Sequence, residues 1–300
     1  MTTRVGYFPQ NNSLWTLRHR GILERSIPDV TWVDLRDLPA GPRPDPRHEL
    51  PSLHSDHLFD GGYDFIGTGS TPPVTAQGRG HDIVYVAISG PRHENGRLVV
   101  HADSGIDDVR GLKGRKVALG HGSWQTTLVL LALEKAGLSW SDIEPVDAYE
   151  DAARRFLDRE VDAWVGSYPF LTDVEARAET RDLVPTESLF THRSLWFTGR
   201  AWAEEHTTEL TAIVHALQES DRWVQDHYRE AAALFPGQTQ DAWEHALRTR
   251  PWGLHPVTPE FVAEQQHAAD LFHAAGLLDR PVRVADAVVP EINSIVEQSR

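Results

Sequence analysis

A glycine-rich turn between a predicted strand and a predicted helix carries the clearest chemistry in this sequence. In Leu119-Gly-His-Gly-Ser-Trp124, the two glycines permit a tight turn in which the backbone can approach a small molecule. A helix that begins at Trp124 presents free N–H groups and a partial positive charge at its start. Ser123 could cap this helix or offer its hydroxyl to an oxyanion, and His121 could donate to an anion or act as an acid or base. We predict ligand contacts from His121, Gly122, Ser123 and Trp124, the alternative being an ordinary capped helix start.

A second turn of the same kind is Gly67-Thr-Gly-Ser-Thr-Pro-Pro73, which follows a short strand, Tyr63–Ile66, and opens another helix. Open α/β sheets bind ligands at the carboxyl ends of their strands, so both turns stand where a ligand is expected. If they face each other across a cleft, each contributes to one site; otherwise they are a pair of capped helices. The predicted contacts of this second turn are Thr68, Gly69, Ser70 and Thr71.

Two helix termini do not supply enough free energy to hold a ligand. Each contributes about 1 kcal/mol, whereas micromolar binding needs about 8 kcal/mol. The preferred additional cation is Arg193, in Thr191-His-Arg-Ser-Leu-Trp196, because a guanidinium fork fits a carboxylate, sulfonate or phosphate. The alternative for Arg193 is a solvated loop arginine. Aromatic side chains near strand ends could form apolar walls or simply be core, and they are Tyr7, Trp124, Tyr168 and Trp196.

Other catalytic and metal chemistry finds little support. The chain has no cysteine, which excludes a thiolate nucleophile and cysteine-based metal sites. There is no Gly-x-Ser-x-Gly elbow and no Walker loop, and Gly-x-Gly at 67–69 lacks the rest of a dinucleotide motif, so no cofactor is predicted. His48, His54 and His57 lie in one loop, but nothing makes them converge, so a solvated loop rather than a metal site is predicted. In an enzyme, His57 or His121 would be the acting residues.

Composition bounds the remaining classes. Three hundred residues with 40% hydrophobic content and ten tryptophans can form a real core. The formal charge of −15, from 29 basic against 44 acidic residues, argues against a nucleic-acid partner. It does not exclude an anionic ligand, because a local nest of N–H groups can outweigh the distant field.

Features of export and membrane insertion are missing from the sequence as written. No apolar run approaches the ~20 residues of a transmembrane helix, so no membrane insertion is predicted. The first residues lead directly into a predicted strand, Val5-Gly-Tyr-Phe8, without the pattern of an export signal. The prediction is a cytoplasmic protein as written, and a periplasmic or extracellular one if a signal has been removed.

Strands and helices alternate along the chain, which predicts an α/β protein with mainly parallel sheets flanked by helices. Two apolar strands, Ile83–Ile88 and Leu195–Thr198, flank a self-contained α/β block. That pattern is typical of a chain that crosses from one lobe to another and returns. We predict lobe one from residues 1–94 plus 191–300, and lobe two from residues 95–190.

Over nearly its whole length the chain resembles the aliphatic sulfonate-binding proteins of ABC importers, within the wider nitrate/taurine/sulfonate group. The likeness is carried by Asp64-Phe-Ile-Gly-Thr-Gly-Ser-Thr-Pro-Pro-Val-Thr-Ala-Gln77, Gly111-Leu-Lys-Gly-Arg-Lys-Val-Ala-Leu-Gly-His-Gly-Ser123, Val161-Asp-Ala-Trp164 with Pro169, and Val257–Leu278. The resemblance implies a two-lobed type II periplasmic-binding-protein (clamshell) fold. It also implies a cleft lined by residues around 7–12, 67–71, 121–124, 167–170 and 193–196, which adds Gln10 and Asn11 to the predicted site.

Two functions follow as expectations. The first is a solute-binding protein that captures a small, sulfonate-like organic anion, with an ABC permease as its possible partner. The second is a cytoplasmic enzyme on the same fold, because the chain is also distantly similar to the aromatic sulfinate desulfinase, whose helix start matches Gly122-Ser-Trp124. That enzyme uses a cysteine nucleophile, so an enzyme here would cleave a C–S bond, or perform a related lyase step, by different chemistry.

Overall fold

The structure of the protein, a computed structural model, describes residues 2–39, 41–51, 53, 55–92, 96–149 and 151–299. Within these residues the strands form two five-stranded sheets. The first sheet contains β1 (Arg4–Tyr7), β2 (Thr31–Asp34), β3 (Phe65–Thr68), β4 (Ile83–Ile88) and β10 (Leu195–Gly199). The second contains β5 (Gly96–His101), β6 (Lys116–Leu119), β7 (Glu144–Asp147), β8 (Ala163–Ser167) and β9 (Thr180–Pro185). The spatial orders are β2-β1-β3-β10-β4 and β7-β6-β8-β5-β9.

Each sheet has one strand that runs against the other four. In the first sheet, β10 is antiparallel to both β3 and β4, while β1 is parallel to β2 and β3. In the second sheet, β5 is antiparallel to β8 and β9, while β6 is parallel to β7 and β8. The two reversed strands are those that follow the crossings between the sheets, since β5 comes directly after β4 and β10 directly after β9. The α/β class and the clamshell type of fold are confirmed, whereas the lobe boundaries at 94/95 and 190/191 stay a prediction.

Helices cover the sheets and begin and end at residues suited to those positions. Ser123 accepts the Gln125 amide at the start of a helix that ends at Gly137, whose φ of 71° is the left-handed conformation glycine adopts readily. None of the helices in the described residues is long and apolar enough to span a bilayer. They are α1 (Asn12–Arg20), α2 (Thr71–Gly78), α3 (Trp124–Ala136), α4 (Ala152–Leu157), α5 (Phe170–Glu175), α6 (Arg200–Glu205), α7 (Thr207–Asp226), α8 (Tyr228–Ala232), α9 (Gln240–Arg248), α10 (Pro259–Ala274) and α11 (Pro290–Gln298).

The central strands hold the core and fix where loops can form a site. All six residues of β4 are buried, as its unbroken apolar sequence predicts for a strand covered on both faces. Helix α10, from the C-terminal part of the chain, packs against α3 of the second sheet, and its Gln265 donates to the backbone oxygen of Ser70 (2.6 Å). The two sheets are thus tied together on one side by packed helices, and the loops at their strand ends meet between them.

Candidate ligand-binding site

The predicted glycine turn at residues 120–123 is hydrogen-bonded within its own surroundings. Ser123 donates from its hydroxyl to the backbone oxygen of Gly120 (2.7 Å) while it caps α3. The backbone amides of Gly120, His121 and Gly122 donate to side-chain oxygens of Gln125 (2.5 Å), Asp147 (3.2 Å) and Thr126 (3.0 Å). Because these amides already have protein acceptors, the turn in this conformation does not offer them to a ligand.

The two predicted turns face and touch each other. Thr71 donates to the backbone oxygen of Ser123 (2.7 Å), and the hydroxyls of Ser70 and Thr127 lie 3.0 Å apart. Gly69 is covered by Trp124, so that a Cβ atom there would lie 3.3 Å from that side chain. Direct bonds join the two helix starts, and the site must therefore be sought beside this contact.

His121 points away from the other predicted contacts. Its Nε2 donates to the backbone oxygen of Glu49 (2.7 Å), and its ring stacks on Trp140 with centroids 5.9 Å apart. Burial, as the largest influence, lowers the pKa of His121, so the ring is held neutral. The other candidate acid or base, His57, bonds to the Asp60 carboxylate (2.9 Å) and the Pro39 oxygen (3.2 Å), while His54 lies outside the described residues.

Several further predicted residues have structural partners. The ring of Tyr7 packs against Trp15 and Trp32, with centroids 5.6 and 5.8 Å away. Tyr168 donates to the Glu175 carboxylate (3.0 Å) and meets the ring of His245 edge-on at 5.3 Å. Tyr7 and Tyr168, which were predicted as apolar walls of the site, thus pack in aromatic clusters with other side chains.

Three further predicted contacts are Gln10 and Asn11, which precede α1, and Thr68 at the end of β3. Asn11 caps α1 by accepting the Leu14 amide (3.0 Å), and its side-chain nitrogen occupies the space above Gly67, where a Cβ atom would collide with it. Gln10 is half-buried in the preceding turn, and the Thr68 hydroxyl donates to the backbone oxygen of Gly69 (3.0 Å).

Arg193, the predicted cation, ties loops together. Its guanidinium donates to the backbone oxygen of Ser89 (2.6 Å) and to the Thr191 hydroxyl (3.1 Å). Burial lowers its pKa, and the nearby carboxylate of Glu264 opposes that shift. Arg193 therefore already has an acidic neighbour and two acceptors.

Beside Trp196 lies a small polar cavity of about 10 Å³, about the room that one water molecule needs. It is the meeting point of four loops: the start of α1, the end of β4, the start of β10 and the α9–α10 connection. The indole Nε1 of Trp196 is buried there and has no acceptor among the described residues. The lining residues are Asn12, Ser13, Ser89, Arg92, Ser194, Trp196, Arg250, Pro251 and Trp252.

Two guanidinium groups share this cavity. Arg92 donates to the Ser194 hydroxyl, and in Arg250 the buried Nε and Nη1 have no acceptor among the residues described. In that part of the chain neither arginine lies within salt-bridge distance of a carboxylate. Burial, followed by the charge of Arg250, holds the pKa of Arg92 well below its usual range, and burial lowers that of Arg250 to about 10. Within the described residues, both cations thus lie together with no carboxylate in salt-bridge distance.

His192 completes the cluster. Its ring is 1% exposed, stacks against Trp124 at 4.0 Å, and has no hydrogen-bond partner at either nitrogen among the described residues. Burial, then the charges of Arg92 and Arg250, hold its pKa well below the usual range, so it is a neutral ring with one N–H to donate. Its φ of 39° is a strained conformation for a histidine.

The cluster lies between the two sheets. Tyr149, which follows β7 of the second sheet, is near enough to raise the pKa of both cavity arginines, and Trp124 of α3 reaches His192. Two guanidinium groups, an indole and several hydroxyls line one small space, and the neutral ring of His192 lies close enough to both arginines for their charges to lower its pKa. Such a set of donors can hold an oxyanion by charge-assisted hydrogen bonds.

Of the predicted residues, Trp196 lines the cavity. Trp124 is close to it because its ring packs on His192, and Asn11 is close because it lies over Gly67 beside Trp196. Arg92, His192 and Arg250 were not predicted. Arg92 could have been found, because Ser89-Gly-Pro-Arg92 follows the buried strand β4, the position that the strand-end rule singles out.

Comparison with known proteins now assigns the chain to a family. The NMT1/THI5-like family profile matches residues 50–231, and the chain belongs to that family. A curated relative from Escherichia coli (strain K12), named for the binding of aliphatic sulfonates, is 29% identical over 292 residues, which cover 95% of this chain and 88% of the relative.

Solved structures agree with this assignment. The crystal structure of the periplasmic aliphatic sulphonate binding protein SsuA from Escherichia coli superposes with a TM-score of 0.82 and 28% identity, and the match covers 98% of this chain and 99% of that one. The desulfurization enzyme DszB matches with a TM-score of 0.69 and 17% identity over 100% of this chain and 99% of its own, a likeness that shows the fold alone.

Proposed function

We propose that this protein is the solute-binding component of an importer and that it captures a small organic anion of the sulfonate class between its two sheets. The guanidinium groups of Arg92 and Arg250 would meet the anionic group, with His192 and Trp196 as neutral donors. The observation that carries the proposal is the pair of cavity arginines without a carboxylate partner in the described residues.

The electrostatics of the free protein support an anionic ligand. Taking a cation out of water costs several kcal/mol unless an opposite charge replaces the lost solvent. Both arginines bear that cost, as their lowered pKa values indicate. An anion that enters the cavity balances the two charges and accepts the hydrogen bonds that Arg250 and Trp196 do not make within the described chain.

The sulfonate class is supported by the relatives, which are named for binding aliphatic sulfonates. The cavity holds only about 10 Å³, so ligand entry requires the two sheets to separate. We propose that they do so as two lobes, residues 1–94 plus 191–300 and residues 95–190. The partner would be the permease of an ABC importer, and the place of action would be outside the cytoplasmic membrane, as for the periplasmic relative.

The enzyme alternative gains no support from the site. The likeness to DszB is one of fold, and the chain has no cysteine to serve as nucleophile. His57 and His121, the residues that an enzyme would use, lie in separate surroundings bonded to Asp60 and to the Glu49 oxygen.

The test is a thermal-unfolding and calorimetric titration with butane-1-sulfonate, with butylammonium as the matched cation and butan-1-ol as the matched neutral compound. A ligand at about 100 times its Kd stabilises the folded state by about 2.7 kcal/mol, which raises Tm by roughly 4 °C in a protein of this size. We expect that rise with the sulfonate alone. Equal responses to all three compounds, or none to the sulfonate, would overturn the proposal.

A further inference from the structure

A buried carboxyl group lies directly behind the cavity. Asp221, on α7, is 1% exposed. Its Oδ2 accepts the Ser13 hydroxyl (3.1 Å) and the Gly253 amide (2.9 Å). Ser13 lines the cavity, and Gly253 follows the lining residues of the α9–α10 loop. One carboxyl group therefore joins two walls of the cavity that come from distant parts of the chain.

The second oxygen of this carboxyl group has room for a proton. Its Oδ1 is buried and has no hydrogen-bond partner in the described part of the chain. Burial raises the pKa of Asp221 to about 7, while the Gly253 amide and the Ser13 hydroxyl oppose that shift. The group is thus near its titration midpoint in neutral solution.

Charged groups on the surrounding elements have other partners or stand apart from Asp221. On α7 itself, Glu219 pairs with Arg25 (2.5 Å). The remaining charged or titratable groups on the neighbouring turns of α7, on α1 and on the loop are Arg222, Arg18, His19, Arg20, Arg250 and His255. Among the described residues, none of these is bonded to the Asp221 carboxyl group. No ion pair there stabilises the ionised form of Asp221, and its charge can therefore be removed by a proton.

We propose that Asp221 is a positioning residue whose protonation is coupled to ligand binding, so that an anion entering the cavity brings a proton to Asp221. This inference rests on the proposed function, since it needs an anion in the cavity. Ser13 lines the cavity and its hydroxyl donates to Asp221 (3.1 Å), so an anion in contact with the Ser13 side chain would lie roughly 6 Å from the Asp221 carboxyl group. Two negative charges at that separation in a buried site repel each other, so the complex favours the protonated acid.

Protonation leaves the cavity walls in place. A proton on Oδ1 removes the charge, yet Oδ2 still accepts from Ser13 and Gly253. The geometry of the site is therefore the same in both states, and what changes is the electrostatic cost of the bound anion. Affinity should fall as the pH rises through neutrality.

The experiment is isothermal titration calorimetry of the whole chain with butane-1-sulfonate, which stays anionic throughout. In wild type we expect Kd to increase roughly tenfold between about pH 5.5 and about pH 8.5, the effect of a pKa raised by about one unit on binding. At about pH 7.5, titrations in two buffers of different ionisation enthalpy should show uptake of a fraction of a proton.

Variants assign the proton. Asp221→Asn keeps an acceptor for both donors but cannot titrate, and we expect its Kd to be low and independent of pH. Glu219→Gln, on the same helix, is the matched control and should keep the wild-type profile. A pH-independent wild-type Kd without proton uptake overturns the inference, as does a profile that persists in Asp221→Asn. The wild-type proton count decides even if that variant does not fold. Failure of butane-1-sulfonate to bind at every pH would instead contradict the proposed function.

Discussion

The glycine turn at 120–123 and the cavity around Arg92 and Arg250 are both built from loops at strand ends, yet they are opposite in their hydrogen bonding. In the turn, the amides of residues 120, 121 and 122 and the hydroxyl of Ser123 all have protein partners. In the cavity and next to it, Arg250, Trp196 and His192 hold buried donors without a partner in the described chain. Since buried polar groups are nearly always satisfied, the second region is the one that calls for a ligand. Glycines mark where a backbone can turn, whereas unpaired donors mark where something else must bind.

The largest effect on ligand binding is expected from removal of the positive charges in the cavity. In Arg92→Met and in Arg250→Met, only one guanidinium group remains to bind the anion. We expect each substitution to weaken butane-1-sulfonate binding by roughly 100-fold. Arg193→Met, whose guanidinium bonds to Ser89 and Thr191, is the control and should change Kd by less than about threefold. Calorimetric Kd values check both; a larger loss in Arg193→Met than in the cavity variants would move the site to the predicted loop cation.

Stability against pH tests whether Asp221 bears a cost of burial. A carboxyl group whose pKa rises from 3.8 to about 7 on folding binds its proton more tightly in the folded state. The free energy of unfolding therefore decreases as the pH rises from about 4 to about 7, and the loss is complete above that range. We expect Asp221→Asn to be more stable than wild type by about 4 kcal/mol at about pH 8, and about equal near pH 4. Urea unfolding of both proteins at the two pH values measures this difference. If Asp221→Asn and wild type were equally stable at both pH values, Asp221 would not be a buried ionised group.

A substitution of His192 tests the neutral donor next to the cavity. His192→Phe keeps a ring to stack on Trp124 but removes the N–H, and we expect about tenfold weaker binding of the sulfonate, the effect of one lost hydrogen bond to a charged group. Phe190→Leu, at the ring's other neighbour, is the matched packing control and should leave Kd nearly unchanged. If both variants bind alike, packing rather than donation explains the position of His192.

The smallest effect is expected at the turn itself. Ser123→Ala removes the cap of α3 and should lower the free energy of unfolding by about 1 kcal/mol. Its Kd for butane-1-sulfonate should stay within about twofold of wild type, because the hydroxyl already donates to Gly120. A tenfold loss of affinity with unchanged stability would return the turn to the binding site and reverse the comparison.

Much of the fold could be predicted from the sequence, because strong local patterns decide it. The unbroken apolar run of β4 and the capped, glycine-terminated α3 are found where the sequence predicts them. The half-exposed edge strand β9, Thr180-Arg-Asp-Leu-Val-Pro185, has no comparable apolar run, and its extended form depends on pairing with β5. Local pattern therefore predicts buried elements better than edge elements.

The binding cluster could not be predicted as a set. Arg250 follows α9 in a helical part of the chain, and only tertiary packing brings it to Arg92, which follows β4. His192 stands next to Arg193 in the same predicted segment, but which of the two faces inward depends on the unusual backbone at residue 192. The sequence indicated the right loop, while the choice between adjacent side chains required coordinates.

The two passages of the chain between the sheets are themselves bonded side by side. The Ser89 amide donates to the Ser194 oxygen (2.8 Å), and the Arg92 amide to the Thr191 oxygen (3.0 Å). Arg92 lies on the outgoing passage, and His192 lies on the returning one. The cation Arg92 and the neutral donor His192 thus lie on the two connections about which the proposed lobes would move. A ligand bound there would contact these connections directly, so ligand binding and closure of the lobes would be coupled.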